Sequence, residues 1–94
     1  MEMIFVYLIF YKIRPLTDAE KEKARLNWEE FKKQLPEGVT LIGEYAHVWG
    51  TEYNGLIIVE ASSHDAYHRF WHRFRETTRW YVPETKTYIA EKEE

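Results

Sequence analysis

Two histidines, His68 and His72, have the spacing that most directly indicates chemistry. They stand four residues apart in a segment, Ser63 to Tyr81, whose apolar residues recur at helical spacing, so both imidazoles would lie on one side of a helix. Two imidazoles placed in this way can hold one metal ion, and either could serve as an axial ligand of haem. A metal site would need a third ligand. The alternative is that both rings are solvated or ion-paired at the surface.

A second group lies on a predicted strand, where Tyr45, His47 and Trp49 alternate and would therefore share one face. They would supply a phenol, a base and an aromatic wall, as cofactor-independent oxygenation or proton transfer at an activated carbon requires. The alternative is ordinary packing, because strands favour aromatic residues. Glu60 ends the next apolar strand, and a carboxylate buried there would act as a proton acceptor. His47, Glu60 and Tyr45 are therefore the candidate catalytic residues.

Other side chains would bind a ligand rather than react with it. Arg75 lies on the flank of the predicted helix that carries the histidines, and would supply the counter-charge for an anionic or phenolic molecule. Asn27 stands at the edge of the apolar stripe of an earlier helix, either as a pocket residue or as a satisfied bystander. The candidate ligand-binding residues are Asn27, Trp49, His68, Trp71, His72 and Arg75.

These candidates must be positioned by six elements. Apolar periodicity, the capping box Thr17-Asp18-Ala19-Glu20 and the turn signal Asn54-Gly55 predict their order. The predicted elements are a strand over 3–13, a helix from Thr17 to Leu35, strands over 39–49 and 56–61, a helix opened by Ser62 or Ser63 and stopped by Val82-Pro83, and a strand over 86–90. This order predicts a ferredoxin-like βαββαβ domain of the α+β class, with a four-stranded antiparallel sheet and both helices on one face.

In the first and third strands, the odd-numbered and the even-numbered residues are both largely apolar, so each strand would present apolar side chains on both of its faces. The sheet would therefore be apolar on its helix-free side as well. A second copy of the chain would cover that side, and two sheets packed face to face would make a dimeric α/β barrel. The sequence therefore predicts a homodimer with a groove between helices and sheet in each subunit.

Composition narrows the class of protein. Ninety-four residues predict one domain over 1–94, with residues 91–94 as a frayed tail. The absence of cysteine excludes disulfides and thiolate chemistry, and a net charge of -3 argues against nucleic acid as a partner. No apolar run is long enough to span a bilayer, so we expect no membrane partner and a cytoplasmic location. Few Asn and Gln and abundant Glu are typical of thermophile proteins.

The segments PEGVTLIGEY (Pro36 to Tyr45), LIIVEASS (Leu56 to Ser63) and DAYHRF (Asp65 to Phe70) resemble the DUF3303 family. This is a group of small proteins of the dimeric α/β barrel superfamily, and the resemblance runs from about Met3 to Ala90. It implies a ligand in the groove between helices and sheet. In the family pattern a histidine follows the aromatic residue of the second strand directly, whereas here His47 comes one position later, which puts its role in doubt.

The leading hypothesis is a homodimer that binds a small organic ligand in this groove, with cofactor-independent oxygenation or isomerisation as the reaction. The first alternative is a non-catalytic structural or regulatory dimerisation module. The second is metal or haem binding through His68 and His72. No cofactor is expected under the leading hypothesis.

Overall fold

The computed structural model describes residues 4–93. The four strands pair antiparallel in the order β2-β3-β1-β4, and both helices pack on one face of the sheet. This arrangement confirms the predicted ferredoxin-like βαββαβ fold. The elements are β1 (Phe5–Lys12), α1 (Asp18–Lys32), β2 (Val39–Ala46), β3 (Gly55–Ala61), α2 (His64–Thr78) and β4 (Glu84–Glu91).

Side chains cap both helices where the sequence predicts it. The Thr17 hydroxyl accepts a hydrogen bond from the backbone N–H of Glu20 at 3.2 Å, and the Glu20 carboxylate accepts one from the Thr17 N–H at 3.0 Å. Arg14 also donates to this carboxylate at 2.8 Å. The contact with Arg14 and the bond from Thr17 together lower the pKa of Glu20 to about 2. Ser63 caps α2 by accepting from the N–H of Ala66 at 3.1 Å.

The core lies between the helices and the side chains of alternate residues in β1 and β3. Because the side chains of a strand alternate between faces, every second residue points towards the helices. Each of the six central core side chains is no more than 2% exposed. They are Tyr7 and Ile9 of β1, Ile57 and Val59 of β3, and Phe70 and Phe74 of α2.

The opposite surface of the sheet, called here the helix-free face, is also largely apolar. Tyr45 and Tyr88 on this face are 51% and 52% exposed. A sheet that is apolar on both sides agrees with the sequence prediction and leaves this face without a cover in the single chain. Its apolar members are Val6, Leu8 and Phe10 of β1, Tyr45 of β2, Leu56 and Ile58 of β3, and Tyr88 of β4.

A β-bulge interrupts β2 between Leu41 and Gly43. Because of the extra residue, each later side chain of β2 lies on the face opposite to the one that counting alternate residues would assign. Glu44 therefore points towards the helices, and Tyr45 lies on the helix-free face. The tyrosine ring covers Gly43, where a Cβ atom would lie 2.7 Å from the ring.

The prediction that β2 continues to Trp49 is wrong. The strand ends at Ala46, and His47 has a left-handed backbone with φ of 55°. His47 and Trp49 therefore do not continue a strand face that begins at Tyr45.

The last strand is longer than predicted. Glu91, expected in a frayed tail, pairs with Phe5, and the backbone N–H of Lys92 donates to the carbonyl of Ile4 at 2.9 Å. Met3 and Glu94, at the ends of two predicted segments, lie outside the described residues. Over residues 4–93, neither helix has the length and apolar composition that crossing a bilayer demands.

Candidate functional site

A cavity of about 290 Å³ lies between α1, the end of α2 and the helix-facing side of the sheet. Its size is near the lower end of the range for small-molecule sites, and its walls are mostly apolar, as such sites usually are. We call it the helix-sheet cavity. Its lining residues are Tyr11, Ile13, Leu16, Lys21, Ala24, Arg25, Trp28, Ile57, Phe74, Thr78, Tyr81 and Val82.

Tyr11 reaches the cavity because its partner in the sheet has no side chain. Tyr11 in β1 pairs directly with Gly55 in β3. A Cβ atom at Gly55 would lie 2.2 Å from Cζ of Tyr11, so the ring lies flat across the glycine. Burial raises the pKa of the Tyr11 phenol, and the nearby Glu44 carboxylate raises it further.

Tyr81 enters the cavity from the turn that follows α2, and it is only 6% exposed. Its backbone is held on both sides, because its N–H donates to the carbonyl of Thr78 at 3.0 Å and its carbonyl accepts from the N–H of Arg14 at 3.0 Å. Burial raises the pKa of the Tyr81 phenol to about 12, with a further contribution from Tyr11. Both phenols are therefore protonated at neutral pH and can donate hydrogen bonds.

The polar groups at the wall differ in their availability. The Thr78 hydroxyl already donates to the carbonyl of Phe74 at 2.8 Å. Within residues 4–93, neither phenol oxygen has a hydrogen-bond partner. Tyr11 and Tyr81 are thus the two side chains that can offer a donor to a ligand inside the cavity.

Two cations of α1 stand at the mouth of the cavity. Arg25 is engaged by Glu22 through contacts of 2.6 and 3.1 Å. Lys21 is exposed and makes no ion pair within the part of the chain that the structure describes. The mouth therefore carries one available positive charge.

Glu44 is the carboxylate whose charge raises the pKa of Tyr11, and two residues of α1 contact it. Nζ of Lys32 lies 3.1 Å from its Oε2, and the indole N–H of Trp28 donates to its Oε1. The bulge in β2 is what turns Glu44 towards these partners. Lys32 also lies 3.0 Å from Oε1 of Glu29, so it offsets only part of the Glu44 charge.

Of the predicted ligand-binding residues, Arg75 and Trp71 have structural contacts. Arg75 donates to the carbonyl of Val82 at 3.1 Å, and burial, together with Arg79, lowers its pKa. Trp71 packs in the aromatic layer of α2, with ring centroids 5.7 Å from Phe74. Neither side chain lines the helix-sheet cavity.

Asn27, His68 and His72 also lie away from the helix-sheet cavity. Asn27 borders a separate polar groove between the outer sides of α1 and α2. His68 and His72 are exposed, and no group of three metal-ligating side chains occurs anywhere in residues 4–93. Among the described residues of the single chain, no third ligand therefore accompanies His68 and His72.

The predicted catalytic set is not assembled around the helix-sheet cavity. Tyr45 and Glu60 lie on the helix-free face, where Glu60 pairs with Nζ of Lys92 at 3.3 Å. His47 follows the end of β2, and Trp49 is 90% exposed in the loop that leads to β3. The structure brings Tyr11 and Tyr81 together instead. Sequence reasoning missed both. The one signal for Tyr11 was Gly55 at the end of the predicted turn, because it leaves room for a ring in the neighbouring strand.

A further polar contact that the sequence did not predict lies at the start of α2. The hydroxyl of Tyr7, which is fully buried, is 2.7 Å from Nδ1 of His64. The Tyr7 ring stacks on Tyr67 with centroids 3.6 Å apart, and Phe5 covers the imidazole at 4.4 Å. This cluster joins the first residue of α2 to the centre of the sheet.

The fold is shared with solved structures of low sequence identity. A candidate chlorite dismutase superposes with a TM-score of 0.74 at 16% identity, covering all of this chain, which spans 44% of that protein. A dabb family protein with a ferredoxin-like fold from Mesorhizobium loti gives 0.69 at 14% identity, with 94% and 95% of the two chains covered. A dimeric ferredoxin-like protein of unknown function from Bacteroides fragilis gives 0.67 at 12% identity, with 95% and 96% covered.

Sequence comparison gives one family. No curated protein matches the chain significantly. The model described as "Domain of unknown function (DUF3303)" matches residues 5–83.

Proposed function

We propose, from the premise that this chain belongs to the DUF3303 family, that it binds a small organic ligand in the helix-sheet cavity. The observation that carries the proposal is the unfilled volume of about 290 Å³ between α1 and the sheet. A core packed only for stability leaves few spaces larger than a water molecule. The open space beside Trp28 favours ligand binding over a purely structural module, in which large aromatic side chains would plug the groove.

The size and lining of the cavity limit the ligand. An apolar wall favours a planar or aliphatic body about as large as naphthalene, with few polar groups. Both reactions that the sequence suggests develop negative charge on a substrate oxygen, and the phenols of Tyr11 and Tyr81 would stabilise that charge. His47, Glu60 and Tyr45 have no part in this proposal, since they lie away from the cavity.

Binding can be tested with toluene as an apolar probe, by calorimetry and by the rise in melting temperature that a bound ligand produces. Ala24 lines the cavity, so Ala24→Phe should fill it and abolish toluene binding. Ala19 is exposed on the same helix, so Ala19→Phe is the matched control and should bind like the wild type. Equal binding by both variants would place the probe elsewhere and contradict the proposal.

We also propose that two copies associate through the helix-free face. Its half-exposed aromatic side chains and the dimeric state of the ferredoxin-like protein from Bacteroides fragilis support this assembly. Ile58→Glu places a carboxylate near the centre of the face and should shift the protein to monomers in sedimentation equilibrium. Leu26→Glu, at a position 54% exposed on α1, should leave the assembly unchanged. A wild-type protein that sediments as a monomer at micromolar concentration would disprove the dimer.

A further inference from the structure

We propose, resting on the ligand cavity described above, that the helix-sheet cavity selects ligands with an anionic oxygen on an apolar body. Tyr11 and Tyr81 would both donate a hydrogen bond to that oxygen. The ligand class is therefore phenolates and the enolates of small ketones. The starting point is geometric, because two phenols line a cavity whose other walls are mostly apolar.

The two phenols are donors that lack acceptors. Neither oxygen has a hydrogen-bond partner within residues 4–93, whereas the neighbouring Thr78 hydroxyl is satisfied by the Phe74 carbonyl. A single ligand oxygen with lone pairs on two sides would accept from both phenols. An anionic oxygen gains most, because hydrogen bonds to charged groups are about twice as strong as those between neutral groups.

The surroundings support a negative oxygen rather than a positive group. Burial keeps Tyr11 and Tyr81 protonated, and donors fixed in an apolar cavity stabilise charge more strongly than water does. The Glu44 charge opposes an anion beside Tyr11, and its contacts with Lys32 and Trp28 weaken that opposition. Lys21 at the mouth has no ion pair among the described residues and adds a favourable charge.

The positions of both tyrosines are held, Tyr11 by its strand and Tyr81 by the backbone hydrogen bonds of its turn. Tyr11 is held across Gly55 in the paired strands, and the backbone of Tyr81 is bonded to Thr78 and Arg14. Donors held in this way need not reorganise when the ligand enters. Binding of a phenol would then favour its ionised form, and the proton released would pass to the solvent.

The test uses 4-nitrophenol, whose phenolate absorbs visible light, and 4-nitrotoluene, which has the same shape without the oxygen. The experiment is run about one unit below the pKa of free 4-nitrophenol, where little phenolate is present. Excess protein should increase the phenolate absorption severalfold. A charge-assisted hydrogen bond corresponds to a preference of about tenfold or more for the ionised form.

Variants assign the effect to the two phenols. Tyr11→Phe and Tyr81→Phe should each reduce the preference for phenolate, and the double substitution should abolish it while 4-nitrotoluene still binds. These changes remove one atom each, and denaturant unfolding will show that the variants fold. Tyr45→Phe alters a half-exposed tyrosine on the helix-free face and is the matched control, with no change expected.

The possible failures can be told apart by calorimetry with both compounds. If 4-nitrotoluene binds but the protein does not increase phenolate absorption, the cavity stands and the selection of an anionic oxygen is wrong. If the Tyr→Phe variants keep the full absorption change, the assignment to Tyr11 and Tyr81 is wrong. If neither compound binds, the ligand cavity itself is refuted.

Discussion

The contact between Tyr11 and Gly55 gives a prediction whose magnitude follows from the structure. In Gly55→Ala, the new Cβ atom would lie 2.2 Å from Cζ of Tyr11, far inside van der Waals contact. The backbone of Gly55 is not left-handed, so alanine adds no backbone strain there. The cost comes from the forced displacement of a partly buried ring, and overpacking of this kind typically destabilises by about 1–3 kcal/mol.

A double-mutant cycle isolates that displacement. In the Tyr11→Ala background the ring is absent, so Gly55→Ala should cost little or even stabilise the strand by about 0.5–1 kcal/mol. The coupling energy should therefore be about 2 kcal/mol or more, within the range for residues in direct contact. The free energy of unfolding is measured by urea denaturation of all four proteins, with the slope m checked for constancy.

Gly43 provides the matched control, because a tyrosine ring also covers it. A Cβ atom there would lie 2.7 Å from the ring of Tyr45, but this ring is half-exposed and can turn away. Gly43→Ala should therefore cost less than about 1 kcal/mol. Equal destabilisation by Gly55→Ala with and without the Tyr11 ring would refute the reasoning and remove Tyr11 from the cavity.

Three further outcomes are expected. The hydrogen bond from Arg14 is the main reason that the pKa of Glu20 is lowered to about 2. The carboxylate therefore contributes fully to stability above its unfolded pKa of about 4.3, and this contribution is lost as the pH falls towards 2. Glu20→Gln should remove that part of the pH dependence measured by thermal unfolding. Tyr7→Phe should lower the free energy of unfolding, measured with urea, by about 0.5–1.5 kcal/mol. The same change made in a His64→Ala protein should lower it markedly less, because the hydrogen-bond partner is already absent. Trp49 is 90% exposed, so Trp49→Ala should change the unfolding free energy of the chain by no more than about 0.5 kcal/mol, and a larger loss would mean that the loop is packed.

The fold could be predicted because its signals are local. Apolar periodicity, the capping box at Thr17 and the glycine turn at Asn54-Gly55 each depend on a few neighbouring residues, and together they indicate one order of elements. Apolar side chains on both faces of β1 and β3 also predicted the apolar helix-free face correctly.

The site could not be predicted because it depends on register. Counting alternate residues along β2 puts Tyr45 on the side of Leu41, and the bulge between Leu41 and Gly43 reverses that assignment. The role of Tyr11 becomes visible only when β1 and β3 are aligned, since it requires Gly55 to stand opposite. Tyr81 belongs to no strand or helix, so no periodicity could place it.

The bulge in β2 also has a consequence for length variation in this segment. Deleting Ile42 would restore a regular ladder with β3 and change no other pairing, because Gly43, Glu44 and Tyr45 already stand opposite Ile58, Ile57 and Leu56. The Glu44 carboxylate would stay beside Lys32 and Trp28, and the Tyr45 ring would stay on the helix-free face. Loss of this single codon would thus spare both the pocket and the association of subunits, because Ile42 is the one residue of the bulge that has no partner in β3.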